Sequence, residues 1–173
     1  MSGDGSFDAA FRAVFDDRFA ALFRYLDRLS GDPALAADVA QDAFIKLYRR
    51  GAMPENVGAW LVSVASNSFR DERRKVSRRL RLLARRAPDA TLADAPPAPD
   101  ANLASEEQRR AARAALDQMS ERDRQLLLLR QEGYSYHELA VALGIHQSSV
   151  GTLIRRATAT FRAAAEGGQR ASE

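Results

Sequence analysis

The sequence predicts an all-α protein made of two small helical domains joined by a linker. Apolar residues recur at helical spacing over most of the chain, and no stretch alternates as a strand would. Residues 87–100, APDATLADAPPAPD, hold four of the six prolines, three aspartates and no basic residue. Such a Pro/Ala/Asp-rich segment builds neither helix nor packed core. We therefore expect domains at residues 1–86 and 105–166, a flexible linker at 87–104 and a frayed tail at 167–173.

The first domain is expected to contain three helices. An apolar stripe at helical period predicts the first helix over residues 7–29. Asp32 then provides a cap and Pro33 a first helical residue, so a second helix is expected over residues 34–49. Two glycines and one proline in residues 50–58, RGAMPENVG, predict a loop.

A third helix is expected to begin near residue 59 and to continue into a strongly basic run. Residues 70–86 hold nine Arg or Lys against two acids, in a chain whose net charge is only +3. Such a local field indicates a polyanionic partner. An aromatic side chain and an amide precede the run and suit unpaired bases, because stacking of a base on a ring is worth about 1 to 3 kcal/mol. The plainer alternative is a core tryptophan followed by a solvated basic face. The candidate residues are Trp60, Asn67, Arg70, Arg73, Arg74 and Lys75.

The second domain is expected to be a four-helix unit that ends in a helix-turn-helix. Helices are predicted over residues 105–118 and 120–131, followed by two short helices around a turn at Gly144. Ser135 and Glu138 have the spacing of a capping box, and glycine adopts the left-handed conformation of a helix end at little cost.

The helix after Gly144 has the composition of a DNA-reading helix. Its apolar residues recur at helical period, which leaves short polar side chains on the opposite face. The major groove admits a helix, and such side chains suit base edges and phosphates. A helical hairpin with polar outer residues is the plainer alternative, and Gly151 costs such a helix about 1 kcal/mol relative to Ala. The candidate face consists of Gln147, Ser148, Ser149, Gly151, Thr152 and Arg155.

Several classes of protein are disfavoured by the sequence. There is no cysteine, so neither disulfides nor thiolate metal sites can form. The two histidines, His137 and His146, are expected at the surface, and no metalloprotease, phosphate-loop or nucleophile-elbow motif occurs. No apolar run is long enough for a membrane span, and no signal peptide is evident. We expect a cytoplasmic protein without catalytic activity, metal, cofactor or small-molecule substrate.

Three segments carry a resemblance to a known family. Residues 36–50, AADVAQDAFIKLYRR, and 58–75, GAWLVSVASNSFRDERRK, resemble the second region of bacterial sigma-70 factors. Residues 119–157, MSERDRQLLLLRQEGYSYHELAVALGIHQSSVGTLIRRA, resemble their fourth region. Two such regions in this order, separated only by a short linker, resemble the extracytoplasmic-function (ECF, group 4) sigma factors.

The resemblance implies a promoter-specificity subunit of RNA polymerase that binds two promoter elements and promotes melting. Core polymerase would be contacted through the beta-prime clamp helices and the beta flap, the former by Asp38, Gln41 and Asp42. The six candidates from Trp60 to Lys75 would hold the non-template strand of the −10 element. The helix after Gly144 would read the −35 element as duplex, and the acidic linker would thread the RNA exit path. A flipped base would enter a pocket formed by Met53, Pro54, Glu55, Asn56 and Val57.

Two further interpretations fit parts of the sequence. A transcription regulator could bind duplex DNA through the helix-turn-helix and use the first domain as a dimerisation bundle. A helical enzyme with an unrecognised site fits least well. A dimerisation bundle has no need of an amide and a basic cluster beside Trp60, which favours the sigma-factor interpretation. That interpretation also allows an anti-sigma factor as a partner.

Overall fold

All the regular structure is helical in the parts of the chain that the computed structural model describes, residues 4–86 and 103–170. This confirms the predicted all-α fold. Among these helices, none is long and apolar enough to cross a membrane. Residues 87–102 of the predicted linker lie outside the described ranges. The helices are α1 Asp4–Ser30, α2 Pro33–Arg50, α3 Val57–Arg86, α4 Leu103–Asp117, α5 Glu121–Gln131, α6 Tyr136–Leu143 and α7 Gln147–Arg170.

Helices α1, α2 and α3 form the first domain around a core that is largely aliphatic. Asp32 caps α2, since its side chain accepts hydrogen bonds from the backbone N–H groups of Ala34 and Leu35, both at 3.0 Å. Aromatic side chains of α1 surround the buried Phe44 of α2, as expected for a core residue. The fully buried side chains of this core include Leu22, Tyr25, Leu26, Leu47, Leu61 and Val62.

Helices α4 to α7 form the second domain, with the helix-turn-helix in α6 and α7. Apolar side chains of both helices are inside: Leu139 and Ala140 of α6 and Val150 and Ala157 of α7 are all buried. Ser120 caps α5 by accepting a hydrogen bond from the backbone of Asp123 at 3.2 Å. Because α5, α6 and α7 share one core, the polar face of α7 is held in a fixed direction.

Three helix ends differ from the predictions. Helix α3 begins at Val57 instead of near residue 59, because the Asn56 side chain accepts a hydrogen bond from the Ala59 N–H at 3.0 Å and caps the first turn. Helix α4 begins at Leu103 instead of residue 105, and leucine and alanine both favour helix. Helix α7 continues to Arg170, into the segment expected to be a tail. Extending a formed helix adds one hydrogen bond for each residue fixed.

The two domains pack against each other through α1 with α5 and α3 with α6. Two arginines of α1, Arg24 and Arg28, each donate a 2.7 Å hydrogen bond to Glu132, which follows α5. A third arginine of α1, Arg18, lies 3.0 Å from Glu138 of α6. Ion pairs of opposite sign on facing helices thus join the domains.

Candidate nucleic-acid and protein interfaces

One exposed face of α2 carries two of the predicted polymerase contacts. Asp38 and Gln41 are exposed and lie one turn apart. Ile45 and Tyr48 continue the same face, and they are 48% and 52% exposed. These two apolar residues were not among the predicted contacts, although their spacing of seven and ten residues from Asp38 places them on its side of the helix. The face therefore combines polar and apolar groups, as protein interfaces do.

Asp42, the third predicted polymerase contact, belongs to a network between α2 and α3. Its carboxylate lies 2.6 Å from the Lys46 ammonium and accepts a hydrogen bond from the Ser68 hydroxyl at 3.0 Å. The hydrogen bond from Lys46 lowers the pKa of Asp42. Asp42 thus helps to hold α2 against α3. The network borders a cleft of about 520 Å³ lined by Leu35, Asp38, Val39, Asp42, Lys46, Ser68, Asp71, Glu72 and Lys75.

The predicted single-strand contacts are brought together along α3. Trp60, Asn67 and Arg74 follow one another at intervals of seven residues, so they share one face of the helix. Trp60 is half-buried and packs against the core, while the Arg50 guanidinium lies 6.0 Å from its ring centroid. Part of the tryptophan is therefore core, and its contact with an unpaired base stays a prediction.

Arg70 and Arg73 both contact neighbouring side chains. Arg70 has one partner on α3 and one on the second domain, and Arg73 has a partner on α3. Arg70 donates to the Asn67 side chain and to Glu121 of α5, each at 3.2 Å. Arg73 lies over the ring of Phe69, 5.8 Å from its centroid. A contact between Arg70 and DNA would therefore compete with its contact with Glu121.

Arg74 and Lys75 each have an acidic neighbour on α3. Arg74 lies 3.6 Å from Asp71, and Lys75 lies 2.6 Å from Glu72, whose hydrogen bond raises the pKa of Lys75. The basic surface also extends beyond the predicted set. A groove of about 480 Å³ is lined by Phe69, Arg70, Arg73, Arg74, Ser77, Arg78, Arg81 and Glu121. Arg78 and Arg81 were not among the predicted contacts, although they lie in the same basic run.

Several residues of the predicted base-flipping loop pack against the core or cap a helix. Met53 and Val57 pack against the core, and Val57 is already the first residue of α3. Asn56 caps that helix. Among the five predicted residues, Glu55 is exposed and the other four are partly buried.

The helix-turn-helix has the predicted local geometry. The Glu138 N–H donates to the Ser135 hydroxyl at 3.2 Å, and the Ser135 N–H donates to the Glu138 carboxylate at 2.8 Å, which completes the capping box. Gly144 ends α6 with φ of 62°, in the left-handed region that favours glycine. These features set the angle at which α7 leaves the turn.

The polar face of α7 is open to solvent at its start. The side chain of Gln147 lies 3.3 Å from the His137 ring of α6, and Arg155 donates to the Thr152 hydroxyl at 3.3 Å. Gly151, unlike its neighbours on this face, is half-buried, because the ring of Tyr136 lies beside it. The predicted residues classed as exposed are Gln147, Ser148, Ser149, Thr152 and Arg155.

Within the described residues, these surfaces offer binding groups and no catalytic constellation. Both histidines are exposed, and neither meets a nucleophile or a carboxylate. In the same ranges no three His, Cys, Asp or Glu side chains cluster in a way that could hold a metal ion. The described surfaces thus comprise an exposed basic face on α3, an exposed polar face on α7 and a mixed polar and apolar face on α2.

Comparisons with protein families agree with this arrangement. Residues 15–79 match the family model of sigma-70 region 2, and residues 109–160 match that of sigma-70 region 4. These matched ranges cover most of the first domain and most of the second.

Curated relatives are all described as sigma factors. The chain is 40% identical over 82 residues to the ECF RNA polymerase sigma factor SigL of Mycobacterium tuberculosis, covering 43% of this chain and 45% of that protein. It is 33% identical over 141 residues to the probable RNA polymerase sigma factor RfaY of Xanthomonas campestris pv. campestris, covering 78% of this chain and 35% of that protein. It is 31% identical over 148 residues to the ECF RNA polymerase sigma factor SigE of Mycolicibacterium smegmatis, covering 82% of this chain and 56% of that protein. The chain thus spans about half or less of the length of these relatives.

Two solved structures have a similar fold. The sigma factor RpoE, in complex with the anti-sigma factor NepR from Bartonella quintana, gives a TM-score of 0.64 at 20% identity, covering 90% of this chain and 95% of that one. CnrH, in complex with the cytosolic domain of CnrY, gives a TM-score of 0.66 at 20% identity, covering 92% of this chain and 90% of that one. At this identity the likeness concerns the fold.

Proposed function

The chain belongs to the sigma-70 family, as a member of its extracytoplasmic-function class, and we propose that it binds core RNA polymerase and directs it to promoters. In this proposal the first domain engages polymerase and the −10 element, and the second engages the −35 element. The observation that carries it is the presence of both sigma-70 regions in order, each with a solvent-accessible basic or polar helix face.

The α2 face is the proposed contact with the beta-prime clamp helices. Asp38 and Gln41 supply polar groups, while Ile45 and Tyr48 supply apolar area that would otherwise face water. Truncating apolar residues at the centre of an interface commonly costs the most binding energy. Asp42 acts indirectly, because its carboxylate is already engaged by Lys46 and Ser68. The beta flap is the proposed partner of the second domain.

The α3 face is the proposed site for the non-template strand. Asn67 and the arginines from Arg70 to Arg74 line the face, and Trp60 lies at its start, next to the loop of residues 53–57. Stacking and phosphate neutralisation together would compensate for the few kcal/mol needed to extrude a base. Melting at this site would then need no separate energy source.

An anti-sigma factor is the proposed regulatory partner. A groove of about 1000 Å³ lies between the domains and is lined by both arginines and apolar side chains. A groove with this lining suits an acidic amphipathic helix. The two solved complexes of similar fold each contain a partner protein, which supports this choice. The groove is bordered by Arg24, Arg28, Arg109 and Arg113 and by the apolar Leu116, Leu127, Leu128 and Phe161.

The proposed role is non-catalytic and cytoplasmic, because core polymerase supplies the chemistry and transcription takes place there. The binding surfaces consist of arginines, amides, hydroxyls and apolar side chains, which recognise partners without forming or breaking bonds. No cofactor or small-molecule substrate is part of the proposal.

The first test is transcription with purified components. The full chain mixed with core polymerase should give discrete run-off transcripts from genomic DNA templates, whereas core alone should not. A chain that binds duplex DNA but neither binds core nor starts transcription would instead be the helix-turn-helix regulator considered above.

A second test separates the two surfaces of the first domain. Asp38→Arg should weaken core binding about tenfold or more in a size-exclusion or native-gel assay, while Asp16→Arg, a matched change on the exposed surface of α1, should not. Arg73→Ala with Arg74→Ala should reduce promoter opening, measured by permanganate reactivity, more than core binding. Arg109→Ala with Arg110→Ala on α4 removes the same charge as a control. Equal loss of opening and core binding in the α3 variant would refute its assignment to DNA.

A further inference from the structure

Ser77 places a hydroxyl group in the middle of the basic groove on α3. The residue is exposed, and it lines the groove of about 480 Å³ whose other lining residues are mostly arginines. Arg73 and Arg74 precede Ser77 by four and three residues. Arg81 follows it by four residues. Because residues three and four apart are neighbours on a helix, an anionic group on Ser77 would lie within reach of three guanidinium groups.

The groove already accepts one anionic group from the chain itself. Arg70 donates to the Glu121 carboxylate of α5 at 3.2 Å, and Glu121 lines the groove. Among the described residues that line it, Glu121 is the acidic one, against five arginines. One carboxylate does not balance five guanidinium groups, so the groove retains positive charge for a further anion.

The half of α3 that carries Ser77 is open to solvent on all sides. Residues 73–82 are all exposed, including the apolar Val76 and Leu80. A helix without a packed face depends on its own hydrogen bonds, and such helices are marginal in water. Unwinding a few residues here therefore costs less than in the first half of α3, where Leu61 and Val62 are fully buried. An enzyme that needs an extended segment can thus reach Ser77.

The residues before Ser77 match a charge pattern that protein kinases read. Arg74 and Lys75 stand three and two residues before the hydroxyl. Kinases select substrates partly by charge pattern, and an acidic substrate site takes basic residues at such positions. Thr158 is the other described hydroxyl residue with two basic residues at this spacing. It is partly buried, and its hydroxyl donates to the Ile154 carbonyl at 2.9 Å. Ser77 is therefore the more accessible acceptor.

We propose that Ser77 is a phosphorylation site whose phosphate occupies the groove of α3. In the reaction, Ser77 Oγ attacks the γ-phosphorus of ATP bound to a serine/threonine kinase. The Oγ–P bond forms as the bond to the β–γ bridging oxygen breaks, ADP leaves, and a base of the kinase takes the hydroxyl proton. Residues 70–86 hold nine basic residues and two acids, and the phosphate adds a charge of about −2 at pH 7.

The phosphate would compete with promoter DNA for the same arginines. This consequence rests on the proposed function in one respect, namely that the α3 face holds the promoter strand. Arg73 lies over the Phe69 ring and Arg74 has a surface pair with Asp71 at 3.6 Å, so both can turn to a stronger anion. Each single-strand phosphate contact contributes about 0.7 to the slope of log affinity against log salt. Two arginines engaged by the phosphate would therefore lower the slope by about 1.4.

Promoter opening by a phosphorylated chain tests the proposal. Phosphoserine is introduced at residue 77 of the full chain by an expanded genetic code, and the chain is combined with core polymerase. On a promoter from which the unmodified chain initiates, opening measured by permanganate reactivity should fall about tenfold or more, with core binding unchanged. Phosphoserine at Ser6, an exposed residue of α1, adds the same charge outside the groove and should leave opening unchanged.

Two measurements examine the site without promoter DNA. Neighbouring guanidinium groups favour the dianion, so phosphorus NMR should give the phosphate at residue 77 a pKa below its ordinary value of about 6. The phosphate at Ser6 should keep the ordinary pKa, and Arg73→Ala with Arg74→Ala should bring that of residue 77 back towards it. In addition, the catalytic subunit of cAMP-dependent protein kinase with labelled ATP should label the full chain, and Ser77→Ala should remove most of the label.

The proposal is overturned if the chain with phosphoserine at residue 77 opens the promoter as well as the one modified at Ser6. Equal phosphate pKa values at the two residues would also overturn it. So would a kinase that labels a peptide of residues 70–81 but not Ser77 in the full chain, because α3 would then be closed to the enzyme. The proposed function fails separately, if the unmodified chain gives no transcript with core polymerase. The phosphate pKa then still decides whether the groove holds the anion.

Discussion

Glu138 is a buried carboxylate whose two oxygens serve two domains. One oxygen accepts the Ser135 N–H and completes the cap of α6, while the other faces Arg18 of α1 at 3.0 Å. The same oxygen lies so close to Gly58 that a Cβ there would clash with it. A larger residue at position 58 would therefore have to displace the Glu138 side chain from Arg18, although the backbone of residue 58 lies in an ordinary helix.

Tyr25 makes the stability of the protein depend on alkaline pH. Its ring is fully buried, its hydroxyl lies 3.3 Å from that of Ser66, and burial raises its pKa from 10.0 to about 12. Between these values the unfolded chain loses a proton that the folded chain keeps, so stability is complete below pH 10 and falls as pH rises. We expect a loss of roughly 2 kcal/mol near pH 12, measured by urea unfolding from pH 8 to 12.

Replacing the tyrosine isolates this effect. Tyr25→Phe should cost about 1 kcal/mol at pH 8, because the Ser66 hydroxyl loses its partner. It should also make the decline above pH 10 less steep, whereas the buried Tyr134, whose pKa is likewise raised by burial, keeps part of that decline. Tyr48→Phe, at a residue 52% exposed, provides the matched control and should keep the decline. An equally steep decline in Tyr25→Phe and the unchanged protein would contradict this assignment.

At the scale of single helices, the local rules of helix ends predicted much of the structure. Asp32 before Pro33, the Ser135 and Glu138 pair and Gly144 all act at the expected ends. Each of these signals depends on atoms within four residues of one another, so the sequence contains the whole interaction. The apolar stripes succeeded for a similar reason, because the period of a helix fixes which residues face the core.

The start of α3 shows where local reasoning failed. Asn56 has the type of side chain that caps helices, but the resemblance to sigma-70 factors implied that it lines a pocket for a base. The structure uses the Asn56 oxygen to accept the Ala59 N–H. The sequence contained the signal for the cap, and the functional interpretation of the loop obscured it.

Asn56 can be tested for both roles with two substitutions. Asn56→Ala should destabilise the first domain by about 1 kcal/mol, because the N–H of Ala59 loses its acceptor. Asn56→Asp should keep or increase stability, since a carboxylate also accepts that bond and is favoured at a helix start. Trp60, the single tryptophan, lies in the first turn of α3 and reports unfolding of this domain by fluorescence.

Promoter opening by the same two variants then separates the roles. If the amide contacts a base, Asn56→Asp should impair opening although it is stable. Full opening by Asn56→Asp together with unchanged stability of Asn56→Ala would contradict both the cap and the pocket.

At the scale of the whole molecule, the contact between the domains could not be predicted. A Pro-rich linker suggests independent domains, and nothing in the local pattern of α1 marks Arg24 and Arg28 as partners of Glu132. These side chains meet only because both domains have already folded. The same holds for Arg70, whose position in a basic run predicted a DNA contact but not its pairing with Glu121. Long-range ion pairs depend on tertiary geometry, which helical period and capping rules do not contain.

Glu132 joins the second domain to two arginines of the first. Its side chain is 3% exposed and accepts 2.7 Å hydrogen bonds from Arg24 and Arg28. Glu132→Arg would place three positive charges together, and a buried charge without a partner is strongly destabilising. We expect the domains to separate, with an increase of roughly 3 Å or more in the radius of gyration by small-angle X-ray scattering. The triple variant Glu132→Arg with Arg24→Glu and Arg28→Glu should restore the compact radius of gyration. As a control, Asp117→Ala breaks the 3.0 Å pair with Arg124 inside the second domain and should leave the radius of gyration unchanged. An unchanged radius in Glu132→Arg would mean that the remaining contacts, among them the Arg18–Glu138 and Arg70–Glu121 pairs, hold the domains together without Glu132.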